Sequence, residues 1–374
     1  MTPFAFATAS QIRFGRGGIS ELPAYAKGRA QRILLVRSAS VAQADDLARA
    51  LQAFSAVQEL FVRGEPDLSR IEADVAHLQP FAPQLVIAIG GGAVIDHAKA
   101  LAALIPAPHC AMRYLEVVGE GRSLDQIPLP VVAVPTTAGT GTEVTRNAVI
   151  QIPEARRKVS LRDPGLYPAL ALVDPDLCQS CPKSVTLASG LDAITQVIEP
   201  FICNRANPIT DALCRDAIPR GLSALRRLLD ASEMQAWEDM ALTSVYGGIA
   251  LANAGLGAVH GFASVIGGQT GAAHGAICGT LLVPVLKANA QAALAGSEAQ
   301  NRIRWVCEQI TDEFGSVEDF QNWARAQGLP RLAAYGISAD KHADLAREAV
   351  LSSSYKANPA DLSQERLVQI LAEG

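Results

Sequence analysis

The sequence has no surplus of positive charge, no signal-like start and no cysteine pairing pattern, and each absence removes a class of function. Lys and Arg number 32 against 37 Asp and Glu, a net charge of −5. That balance gives no electrostatic reason to expect nucleic acid or an anionic membrane as a partner. Met1-Thr2-Pro3-Phe4 lacks the basic start and apolar core of a secretory signal, so the expected compartment is the cytoplasm. The seven cysteines are odd in number and scattered, unlike a disulfide framework. Cys178 and Cys181 form one CxxC with no second pair and no nearby histidine, and read as inert thiols. Neither GxGxxG nor a GxxxxGK loop occurs, which removes the usual dinucleotide fingerprint and an ATPase loop.

The most pronounced local absence is of charge. Met240 to Leu286 contains no Asp, Glu, Lys or Arg, yet holds His260 and His274. A run of that length matches membrane spans by size, but Gly247, Gly248, Asn253, Gly255, Gly257 and Gly271 break it into pieces. It reads as buried helices that carry two histidines to one interior point. Upstream, Asp192 and Gln196 stand i, i+4 among Leu191, Ile194, Val197 and Ile198, so they share one face of a largely buried helix. A buried carboxylate needs a partner. A cation held by Asp192, His260 and His274 would be one, with the oxygen and nitrogen donors that zinc or ferrous iron accepts and a position left open.

At 374 residues, 49% of them hydrophobic, the chain has the length for two packed domains. The first half alternates strand and helix signals. Arg32–Val36 and Gln84–Ile89 are apolar runs of buried parallel strands. Val41–Phe54 and Leu68–Leu78 are helical in pattern, the second with Asp67 as N-cap. Gly90-Gly91-Gly92 then leads into a helix over Ala93–Leu104. A strand, a triple glycine and a helix start make a phosphate site, because the backbone can be approached closely and its free N–H groups and dipole bind the anion. After the strand Pro130–Val134 comes Pro135–Thr145, in which five threonines and two glycines fall within ten residues, a lip suited to phosphate and sugar oxygens. Two such loops after two strands favour a nucleotide at the carboxyl edge of a parallel sheet. Lys158 is expected to add a cation there, unless it is a solvated hairpin charge. From about Pro182 long helical patterns take over, among them Ile209–Leu229, Trp237–Ala252, Asn301–Phe314 and Ser363–Leu371. The expected division is residues 1–182, an α/β nucleotide-binding domain with a parallel sheet, and residues 183–374, an all-helical domain for metal and substrate.

The ordered set of phrases Gly90–Asp96 with Lys99, Pro135–Thr145, and Asp192 followed by His260-x13-His274 resembles the iron-containing (group III) alcohol dehydrogenases over nearly the whole chain. The resemblance implies the fold shared with dehydroquinate synthase and glycerol dehydrogenase, with a nicotinamide meeting a metal-held alcohol or aldehyde in the interdomain cleft. It implies Ser38, Gly91, Gly92, Ala93, Asp96, Thr136, Thr137, Thr140, Thr145 and Lys158 at the cofactor, and Asp192, His260 and His274 as metal ligands and catalytic centre. It also implies a homodimer, a small-molecule alcohol or aldehyde as substrate, and NAD(H) or NADP(H) with Fe2+ or Zn2+ as cofactors.

Three positions depart from the family pattern. Gln196 stands where a further metal-binding histidine is usual, and its neutral amide is a weak ligand, so the metal is held less tightly and zinc is as acceptable as iron. Ser264 stands where a proton-relaying histidine is frequent. Arg37-Ser38-Ala39-Ser40 replaces an aspartate that repels a 2′-phosphate, which leaves NADPH tolerated unless Arg37 points to solvent. A maleylacetate reductase, which reduces an unsaturated keto acid without metal, would carry asparagine in place of Asp192. A non-catalytic nucleotide-binding homologue would owe its decay to Gln196. Phe262, Ser264, Val265 and Asn147–Val149 are expected to border a small apolar substrate pocket.

Overall fold

In the computed structural model residues 3–155, 157–231 and 233–374 are described; Met1 and Thr2 of the N-terminal reading, and Arg156 beside Lys158, lie outside them. The chain divides into two compact units, one of Thr8–Thr137 with Thr142–Ser180, the other of Cys181–Gly374 with Ala138–Gly141 and the N-terminal residues up to Ala7.

The first unit contains strands β1 (Ile12–Phe14), β2 (Arg32–Arg37), β3 (Ala56–Phe61), β4 (Leu85–Gly90), β5 (Val131–Pro135), β6 (Asn147–Ile152), β7 (Arg157–Arg162) and β8 (Leu170–Val173). Six of them form one parallel sheet in the order β1-β8-β5-β4-β2-β3, and β6 and β7 pair as a separate antiparallel hairpin. Its helices are α1 (Leu22–Ala26), α2 (Gln43–Gln52), α3 (Leu68–Leu78) and α4 (Gly92–Leu104). Leu35, Ile87 and Val132 pack toward α1 and α2, whereas Leu34, Val86 and Val131 pack toward α3 and α4. With both faces covered, the central strands are continuous apolar runs rather than alternating ones. The Asp67 carboxylate caps α3 by accepting from the Arg70 amide at 2.9 Å. The expected helix over Val41–Phe54 is shorter, Gln43–Gln52.

The second unit is helical: α5 (Lys183–Ile202), α6 (Pro208–Ala231), α7 (Met234–Asn253), α8 (Ala258–Thr270), α9 (His274–Ala292), α10 (Glu298–Phe314), α11 (Val317–Ala326), α12 (His342–Leu351) and α13 (Gln364–Glu373). Ser363 caps α13 by accepting from the Arg366 amide at 3.2 Å. The buried α5 packs against α6, α7 and α9. It approaches α9 so closely that a Cβ on Gly275 would collide with the Ala188 carbonyl oxygen. That close crossing sets Asp192 of α5 beside the first turn of α9. The uncharged stretch becomes α7, α8 and α9. Among the described residues no single helix is long and apolar enough to cross a membrane, and α7 with α8 meets that measure only as a pair bent by 98°.

Candidate functional site

Three helices of the second unit bring a carboxylate, two imidazoles and a thiol together. Asp192 comes from the middle of α5, His260 from the first turn of α8, and His274 and Cys278 from the first turns of α9. Their donor atoms all lie within 4.8 Å of one another. His260 Nε2 is 3.5 Å and His274 Nε2 is 3.9 Å from the same oxygen, Asp192 Oδ1. Asp192 is only 2% exposed, and this oxygen has no hydrogen-bond partner. An ionised oxygen left unpaired in the interior is costly. Burial would raise the Asp192 pKa, but His260 and His274 hold it below the usual carboxylate value.

Glu199, two turns after Asp192 on α5, sets the orientation of His260. One of its oxygens accepts from the Val259 amide at 2.7 Å and the other from His260 Nδ1 at 2.6 Å. A carboxylate only accepts, so Nδ1 carries a proton and Nε2 is the atom turned to Asp192. Burial opposes charge on His260, yet Cys278, Asp192 and Glu199 raise its pKa well above the usual imidazole value. Burial pushes the Cys278 thiol up to about 12. Gln196 donates from Nε2 to the Gly139 carbonyl at 3.2 Å, and its buried Oε1 has no partner. The loop that accepts this bond reaches α7 at Gly141, whose φ of 60° and contact with Gly248 exclude a side chain. The donor set and the orphaned Asp192 oxygen fit a divalent cation, with oxygen, nitrogen and sulfur ligands that zinc or iron accepts.

In the first unit, Ser38, Gly91 and Ala93 line one cavity of about 680 Å3 together with Ser40, Arg63 and Glu65. Gly92 opens α4, and Thr136 is held by its amide to the Gly90 carbonyl at 2.9 Å. Thr137 packs beside Gly91, whereas Thr140 is exposed in the segment that belongs to the helical unit. Asp96 and Thr145, expected at the cofactor, are engaged around the fully buried Lys99. Lys99 Nζ donates to the Thr145 carbonyl at 2.7 Å, to its hydroxyl at 3.1 Å and to the Asn147 carbonyl at 3.2 Å, and also to Thr142. Asp96 accepts from the Thr142 hydroxyl at 2.5 Å. A buried ammonium has three protons to place, and these acceptors tie the threonine loop to α4. Burial lowers the Lys99 pKa to about 8 and raises Asp96 to about 6 and the neighbouring Glu143 to about 7.

Two expectations about charge are corrected. Arg37 neither offers a free cation nor points to solvent: it is 3% exposed, paired with Asp45 at 2.7 Å and Glu59 at 2.9 Å, and lies over the Phe61 ring. Two flanking carboxylates offset its charge. Lys158 is not a solvated charge either, since its ammonium is buried against Glu65 at 3.3 Å. Phe262, expected at a pocket border, is fully buried. Ser264 donates its hydroxyl proton to the Gly261 carbonyl at 2.9 Å. Glu199, Cys278 and Arg63 join these residues without having stood out in the sequence. The first two carried a signal, since Glu199 is i+7 from Asp192 and Cys278 is i+4 from His274, on the same helix faces.

Residues 9–175 match the sequence pattern of iron-containing alcohol dehydrogenase, and residues 186–374 that of the C-terminal part of the Fe-containing alcohol dehydrogenase family. Lactaldehyde reductase of Escherichia coli K12 is 32% identical over 374 aligned residues, covering 96% of each chain. Alcohol dehydrogenase 4 of Saccharomyces cerevisiae S288c is 29% identical, covering 96% of this chain and 95% of its own. Among solved structures, sulfoacetaldehyde reductase from Bifidobacterium kashiwanohense in complex with NAD+ superposes with a TM-score of 0.85 at 25% identity, covering 100% of this chain and 98% of that one.

Proposed function

The chain belongs to the iron-containing alcohol dehydrogenase family, and we propose that it interconverts an alcohol and an aldehyde or ketone with NAD(H) or NADP(H) at a divalent-metal site of Asp192, His260 and His274. The observation that carries this reading is the unpartnered Asp192 oxygen facing two imidazoles in a buried cluster. When bound, iron or zinc would supply Lewis acidity toward the carbonyl or alcohol, and the nicotinamide would exchange the hydride. Glu199 keeps the His260 proton on Nδ1 and so leaves Nε2 available at the site. Ser264 commits its hydroxyl proton to a backbone carbonyl, so proton exchange with substrate falls to solvent.

For the nucleotide we propose residues 1–182, with the cavity at Ser38, Gly91 and Ala93 and the amides that open α4, and for metal and substrate residues 183–374. The NAD+ complex of the sulfoacetaldehyde reductase supports a nicotinamide cofactor. Dual use of NADPH rests on Arg63, which lines the cavity and is exposed, rather than on Arg37. The test is oxidation of NADH and NADPH by short aldehydes, before and after chelation and in Asp192→Asn. Loss of at least about a hundredfold in kcat/KM on both perturbations is expected, since even supporting partners of a ligand cost tenfold to a hundredfold. Turnover indifferent to both, or activity confined to an unsaturated keto acid, would overturn the reading.

A further inference from the structure

We propose that Cys278 supplies a fourth protein ligand to this metal as a thiolate, taking the place that the weak amide of Gln196 cannot fill, and that it biases the site toward zinc. The inference rests on the metal site proposed above. His274 and Cys278 are one helical turn apart on α9, so both project from the same face toward α5. The Cys278 sulfur lies within 4.8 Å of the donor atoms of Asp192, His260 and His274, and the residue is fully buried. Bond lengths of about 2.0–2.3 Å in a tetrahedral zinc site separate donor atoms by roughly 3.3–3.8 Å, so a contraction of about 1 Å from the longest spacing completes the set.

The alternative donor is differently engaged. Gln196 has its amide nitrogen tied to the Gly139 carbonyl, and its neutral oxygen offers no charge to a divalent ion. A thiolate offers both charge and softness, which select zinc over ferrous iron more strongly than an amide oxygen does. Binding balances simply: the sulfur–metal bond forms as the thiol proton leaves to solvent. Nothing is oxidised. Four protein donors still admit substrate, because zinc reaches five-coordination.

The test uses cobalt(II) titrated into the chelator-treated full chain. One cobalt per chain with a near-ultraviolet thiolate-to-cobalt charge-transfer band is expected in the parent and in Gln196→Ala. The band should vanish in Cys278→Ser while the visible cobalt bands persist. Zinc affinity, by competition with a chromogenic chelator, should fall at least about a hundredfold in Cys278→Ser but only about threefold in Gln196→Ala, against the tenfold to hundredfold cost of losing a supporting partner. Cobalt bound without the charge-transfer band, or a band that survives Cys278→Ser, overturns the proposal and leaves the metal site standing. No cobalt bound by the parent overturns both. Should Cys278→Ser fail to fold, the parent spectrum decides, with loss of the band in Asp192→Asn assigning it to this site.

Discussion

Replacing Glu199 by glutamine keeps the shape of the side chain and removes the charge that orients His260. In the parent, its two oxygens accept from His260 Nδ1 at 2.6 Å and from the Val259 amide at 2.7 Å. A glutamine can satisfy one of these donors through its oxygen, but its NH2 group must then face the other. Hydrogen bonds to charged groups contribute about 1.5–3 kcal/mol each, and loss of a partner behind a metal-bound histidine costs about 10–100-fold in affinity, or roughly 1.4–2.7 kcal/mol. The two routes agree, so zinc affinity in Glu199→Gln should drop by about one to two orders of magnitude. Chelator competition on protein shown by circular dichroism to be folded measures it. The kcat/KM for aldehyde reduction should fall in parallel under limiting metal and recover in excess zinc. Affinity within about threefold of the parent, well below the expected range, would refute the role of Glu199 in holding His260.

Two further predictions concern the first unit. The Glu143 carboxyl is raised from 4.5 to about 7 by burial, so between these pH values the folded chain holds a proton that the unfolded chain has released. Stability therefore falls as pH rises through that window, by up to about 3 kcal/mol for a shift of this size. Urea midpoints at pH 4.5 and 7.5 should differ less in Glu143→Gln than in the parent, and an unchanged difference would count against the argument. Second, Arg63→Ala should raise the KM for NADPH while sparing NADH. Arg37→Met should instead lower stability, by roughly 1–3 kcal/mol because the carboxylates it leaves, Asp45 and Glu59, reach solvent, and leave the NADPH-to-NADH ratio alone. Steady-state kinetics with both cofactors separate the two, and a shift in that ratio with Arg37→Met but not Arg63→Ala would reverse the assignment.

Much of this arrangement was legible in the chain, for identifiable reasons. The run Leu85–Ile89 ending in three glycines has one good solution, a buried parallel strand turning into a helix, and the structure shows β4 and α4 there. Gly257 and Gly271 stand at the breaks that separate α8 from its neighbours, so the uncharged stretch declared its own segmentation. Arg37 was not legible. An arginine at the end of a strand carries no local sign of burial, and its partners Asp45 and Glu59 come from a helix and a strand that only the tertiary fold brings to it. The same holds for β1, whose three residues are exposed and whose place beside β8 is set by pairing rather than by pattern. Glu199 and Cys278 lie between these cases. Their helical spacing was visible, but a glutamate and a cysteine acquire meaning only when α8 and α9 are seen to start beside α5.

Catalysis as proposed requires a metal held by Asp192, His260 and His274. Elemental analysis of untagged protein, purified anaerobically, tests it most directly when paired with Asp192→Asn. About one zinc or iron per parent chain is expected, the stoichiometry of a single three- or four-ligand site, with none retained in the variant. A parent that reduces aldehydes at full rate with no divalent metal bound would contradict it.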